Sequence, residues 1–151
     1  MVGLDLPTSV LPLPKIIKAY PPNFNELAKV FPIKGKPGIV FAYGDYIYNP
    51  SGQRLSPEIV AHEETHCARQ KDAETHLWWH AYCTWPDFRL NEEVIAHRAE
   101  WDRWRDIWPS RMDEKELDRL ASRLSSPLYG SLISYECAKQ KITQRGIDAL
   151  Y

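Results

Sequence analysis

The run from Ser56 to Lys71 constrains this chain more than any other. Ser56-Pro57-Glu58 is a strong helix start: a capping residue, a proline at the first helical position and an acid in the first turn. The pattern predicts a helix from there to about Gln70 or Lys71. Inside it lies His62-Glu63-Glu64-Thr65-His66. Residues four apart share one helix face, so both imidazoles can reach a single ion. Glu63 sits about 100° round from His62, close enough to touch a water on such an ion without displacing it. An H-E-x-x-H pattern in a capped helix reads as a metal site with a general base beside it.

Two nitrogens do not complete such a site. A catalytic zinc takes three protein ligands and leaves a fourth position for water. Asp72 could serve only with a turn-permitting glycine where this chain has Arg69. His76 and His80 are four apart, but no glutamate follows His76, and Trp78-Trp79 between them read as core; this pair is expected at the surface. The segment from Asn91 to Trp108 offers more. With Glu93 at zero on a helical wheel, Leu90, Val94, His97, Trp101, Trp104 and Trp108 all fall between roughly 20° and 100°. Glu93 is then an acid at the edge of a core-facing stripe, a costly place unless it is paired or bound to metal. Glu92 lies about 150° from the centre of that stripe and is expected to face solvent. Glu100 is a weaker candidate near the same stripe. The competing role for Glu93 is an ion pair with Arg69 or Arg98.

The rest of the chain reads as short elements punctuated by proline. A strand is expected within Lys15–Tyr20, and a helix capped by Asn23 or Asn25 should run to Phe31. Gly38–Tyr48 is β-branched and aromatic, broken at Gly44-Asp45, and reads as a hairpin or one bulged strand, followed by a turn at residues 49–52. Further helices are expected over Ala73–Trp85, from Leu90 or Asn91 to before Pro109, and over Asp113–Leu124, with Asp113 and Glu116 in capping-box spacing. Ser126-Pro127 should open a last helix closed by Gly146. The expected fold is α+β, mainly helical. A small N-terminal hairpin or sheet packs on the helix of His62 and His66 and on a second ligand-bearing helix, in one domain over residues 1–151 with 1–14 as an extended arm.

Bulk properties exclude several classes. Nineteen basic against 20 acidic residues give a net charge of -1, unlike a nucleic-acid binder. Three cysteines, none in a C-x-x-C pair, read as buried free thiols of a reducing compartment. No apolar run approaches the ~20 residues of a membrane span, and Met1–Pro14 lacks the basic start of a signal peptide. A cytoplasmic protein with no membrane partner is the expectation.

His62-Glu63-x-x-His66 followed by Glu93-Val94-Ile95-Ala96-His97 resembles the gluzincin metallopeptidases. The stretch from Phe41-Ala42-Tyr43-Gly44-Asp45 through Arg69-Gln70 to Phe88-Arg89-Leu90 is also similar to small peptidases encoded by tailed bacteriophages. The resemblance implies a Zn²⁺ held by His62, His66 and Glu93, with Glu63 as the base that activates water for attack on a peptide or protein substrate. In the family an Asp orients a ligand histidine; His97 stands at that position, a departure that assigns it the same supporting role. Glu64 also departs, since an uncharged residue is usual there. Tyr129, with Tyr82 second, is the expected donor to the developing oxyanion, and the strand around Phe41–Tyr43 the expected edge for extended substrate. A phage origin further implies host cytoplasm and a possible virion partner. The alternative reading is a non-enzymatic phage structural or assembly protein that keeps a structural metal.

Overall fold

The computed structural model describes residues 15–110 and 114–144. The expected arm over 1–14, the cap at Asp113 and the stop at Gly146 lie outside them. Three strands form one small sheet: β1 (Lys15–Ile17), β2 (Phe41–Tyr43) and β3 (Tyr46–Tyr48). Their order is β1-β3-β2, with β1 parallel and β2 antiparallel to the central β3. Ile47, at the centre, faces Ile16 on one side and Ala42 on the other. A two-residue loop joins β2 to β3. Gly44 occupies its first position with φ of 62°, the left-handed value that favours glycine there. The region is thus a hairpin rather than one bulged strand.

The helices are α1 (Phe24–Val30), α2 (Pro57–Ala73), α3 (Thr75–Thr84), α4 (Pro86–Ile107), α5 (Glu114–Leu124) and α6 (Tyr135–Thr143). The fold is α+β and mainly helical, as the sequence implies. Two boundaries differ from expectation. Helix α4 begins at Pro86, about a turn before Leu90, because proline is tolerated at the first helical position and opens the helix that it was expected only to precede. Ser126-Pro127 opens only a single 3-10 turn, Pro127–Tyr129, which Gly130 stops at φ of 101°. The last helix starts afresh after Ser134, whose Oγ accepts from the Cys137 amide.

Three apolar clusters hold these parts together. Val94 of α4 packs with Leu117, Leu120, Ala121 and Leu124 of α5 and Ala138 and Ile142 of α6. Each fully buried leucine or isoleucine there contributes about 1.5–3 kcal/mol. Leu27, Phe31, Ile33, Phe41, Trp78 and Tyr82 form a second, ring-rich cluster, and Ala42, Ile47 and Cys67 a third. Trp101 packs on the first cluster, but the expected stripe does not continue as core: Trp108 is 42% exposed. Of the thiols only Cys67 is buried; Cys83 is half-buried and Cys137 exposed, which corrects the expectation for those two. No helix among the described residues is long and apolar enough to cross a membrane.

Candidate metal centre

Between these apolar clusters α2 packs against α4 along a polar seam. The inward face of α2 carries Glu58, His62, His66 and Gln70 at a spacing of four. That of α4 carries Glu93, His97 and Glu100, at spacings of four and three. Every one of these residues is buried.

The structure brings His62, His66 and Glu93 together. His62 Nε2 lies 3.4 Å from Glu93 Oε1, and His66 Nε2 lies 3.1 Å from Glu93 Oε2. Atoms about 2.0–2.2 Å from a tetrahedral zinc sit about 3.3–3.6 Å from each other. The first separation falls in that range and the second just below it. Glu93 Oε1 is buried without a hydrogen-bond donor, an orphaned acceptor that costs free energy unless something electropositive meets it. Two imidazoles and a carboxylate are also the donor chemistry that zinc takes. The donor chemistry suits the ion, and the tight group of donor atoms among the described residues is His62, Glu93 and His97.

The surrounding charges favour a cation as well. Glu63, Glu93, Glu100 and Glu116 are buried around the seam, while Arg119 and Arg123 are the guanidinium groups that reach these acids among the described residues. The two guanidinium groups are taken up by Glu100 and Glu116, so neither forms an ion pair with Glu63 or Glu93. Burial alone would pull His62 down, but Glu100, Glu93 and Glu63 outweigh it and lift its imidazole to about 10. Burial likewise opposes ionisation of Glu93, yet His66 and His62 hold it well below the usual carboxylate range.

Two of the three donors are braced from behind, whereas His66 Nδ1 is buried with no hydrogen-bond partner. His62 Nδ1 is 2.9 Å from Glu100 Oε1. Glu100 is fully buried and is gripped in turn by Arg119, at 3.0 Å, and by Arg123. The Tyr82 hydroxyl donates to Glu93 Oε2 at 2.7 Å. Tyr82 therefore holds the carboxylate, a different role from the oxyanion donor suggested as second choice. His97, expected to orient a ligand histidine, instead meets the main-chain oxygen of Glu93 through Nδ1 at 2.6 Å and Arg123 Nε through Nε2 at 3.3 Å. Glu100, seven residues after Glu93, stands where the family pattern led us to look for His97.

Glu92 is also placed differently from expectation. It is 3% exposed and forms an ion pair with Arg69 of α2. A tilt of the helix is not needed to explain this: α2 and α4 pack closely enough that residues flanking the seam are covered too, and Arg69 neutralises the acid. The competing partner of Glu93 is thereby used elsewhere, and Arg98 Nε donates to the Lys141 carbonyl. His76 and His80 are exposed, as is Asp72.

A cavity of about 80 Å³ opens onto the cluster. His62, Glu63, His66, Glu93 and Tyr129 line it at one end; Phe31, Ile39, Val40, Ala42 and Leu128 supply apolar wall. Burial raises the Glu63 carboxyl above its usual range, against the opposing pull of His62 and His66. Tyr129 sits on the 3-10 turn with its ring 5.7 Å from that of His97. Strand β2 borders the same cavity and is an edge of the sheet. Its Ala42 carbonyl is already bonded by Gln70 Nε2, and the Gly44 amide by Gln70 Oε1. Gln70 therefore already engages two main-chain groups near this edge.

No family model, curated protein or solved structure matches this chain. Its chemistry is therefore read from the seam itself. Sequence reasoning missed Arg119 and Arg123, which differ from other surface-helix arginines only in lying four apart on the side of α5 that turns to α4. It missed the clamp by Gln70 too, although Gln70 falls one turn beyond His66 on the same face.

Proposed function

We propose that this protein is a zinc-dependent hydrolase, most simply a peptidase, in which His62, His66 and Glu93 hold the ion and Glu63 acts as general base. The observation that carries the reading is that two helical imidazoles, His62 at 3.4 Å and His66 at 3.1 Å, meet the buried Glu93 carboxylate, with Glu63 on the wall of the cavity that opens onto them. Zinc at this position would supply a Lewis acid that acidifies water and polarises a carbonyl. Glu63 takes the proton from the attacking water and later delivers it to the leaving amine. Its raised affinity for protons suits a group that must both accept and return one. Tyr129, which lines the same cavity, would donate to the oxygen on which charge develops. Glu100 fixes the ring of His62, and Tyr82 fixes the carboxylate of Glu93. The apolar wall excludes water and receives the side chain beside the bond that is cut.

A purely structural metal would need the three ligands but not Glu63. The variant Glu63→Gln removes the base while keeping size and shape. It should keep zinc and fold, yet lose hydrolysis of an unfolded-protein substrate by at least ~10²-fold. Unchanged hydrolysis in this variant would defeat the proposed mechanism.

A further inference from the structure

One more imidazole stands beside the seam. His97 is fully buried, and its ring lies 4.8 Å from that of His62. Donor atoms of His62, Glu93 and His97 fall within 4.8 Å of one another. An ion held by His62, His66 and Glu93 would therefore have a fourth protein donor close by. The number of donors decides what such a site does: four close it, whereas three leave a position for water.

The hydrogen bonds of His97 state which nitrogen carries its proton. A guanidinium group only donates, so Arg123 Nε at 3.3 Å requires a lone pair on Nε2. A main-chain carbonyl only accepts, so the Glu93 oxygen at 2.6 Å requires the proton on Nδ1. Nδ1 is also the nitrogen turned to the seam, 3.6 Å from Glu93 Oε1. A protonated nitrogen cannot ligate a metal. To free Nδ1, the ring would have to give up its bond to the Glu93 carbonyl and move its proton to Nε2, where the N–H of Arg123 opposes it. Arg123 is itself held by Glu100 and cannot readily withdraw.

Building on the zinc-hydrolase reading, we propose that Arg123 keeps His97 out of the metal shell by fixing its tautomer, and so holds open the position that a reacting water needs. Arg123 is then a positioning residue. It contributes through His97, from a helix outside the H-E-x-x-H motif.

X-ray absorption fine structure of the zinc-loaded full chain counts imidazole ligands directly. The parent should show two, and His97→Asn should also show two. A fall to one in His97→Asn would mean that His97 is already a ligand and would overturn the proposal. Arg123→Lys keeps a cation against Glu100 but removes the N–H aimed at Nε2. It should show three imidazoles and lose hydrolysis, and adding His97→Asn should return the count to two and restore hydrolysis. A count of two in Arg123→Lys refutes the proposal; Arg123→Gln is read in the same way should the lysine variant not fold. Parent protein that takes up no zinc overturns the metal reading and this proposal together, whereas the other contrary counts overturn this proposal alone.

Discussion

Glu92 and Glu93 are neighbours in sequence, both buried, yet they face different partners, and a pair of isosteric substitutions separates them. Glu93 meets His62 and His66; Glu92 meets Arg69. In Glu93→Gln the charged donor becomes a neutral amide, and on the proposed reading zinc would lose one of its three protein ligands. Partners that merely orient ligands change affinity by about 10–100-fold, so loss of a ligand should exceed ~100-fold, or about 2.8 kcal/mol. In Glu92→Gln the cost falls on the fold. A hydrogen bond to a charged group is worth about 1.5–3 kcal/mol. Because the Arg69 side chain is 40% exposed, solvent screening reduces this to about 1–2 kcal/mol. For a chain of this size that is a Tm lower by about 3–6 °C. Competition with a chromophoric chelator measures the first quantity and thermal unfolding of metal-free protein the second. Equal loss of zinc affinity in the two variants would show that the pairing across the seam is wrong.

The same geometry gives two more expected outcomes. Glu100→Gln removes the carboxylate behind His62 Nδ1, so zinc affinity should fall by about 10–100-fold in protein shown by circular dichroism to be folded; unchanged affinity would remove Glu100 from the site. Because His62 is lifted to about 10, the metal-free site holds a proton at pH 8 that zinc must displace. Calorimetry in buffers of different ionisation enthalpy should then report about one proton released per zinc bound, and apparent affinity should rise with pH up to that value; binding without proton release would contradict the charge balance drawn for the seam.

The helix of His62 and His66 was legible because three independent signals agree on it: Ser56-Pro57-Glu58 at its start, the four-residue spacing of the imidazoles, and continuous helix-compatible sequence between. Glu93 was legible because its phase on α4 is set by Leu90 and Val94, which do face the core. The same wheel failed for Glu92, since periodicity reports angle but not how closely a second helix covers the flank, nor that Arg69 waits there. It failed for Trp108 because an aromatic stripe marks a core only where other elements reach it. Glu100 lay on the same wheel, but its partners Arg119 and Arg123 come from the following helix, α5, and no local pattern announces which side chains that helix turns back onto α4. Pro86 and Pro127 show the remaining limit. Each can open a helix, but the residues after it decide the length: 22 residues in the helix that Pro86 opens, and three in the turn that Pro127 opens before Gly130.

Everything proposed for this protein depends on His62, His66 and Glu93 holding a metal ion. Elemental mass spectrometry of purified protein measures that directly. The account predicts about one zinc per chain in the parent and none in the His62→Ala, His66→Ala double variant. Metal-free parent protein after zinc-replete purification, or a full complement of zinc in the double variant, would contradict it.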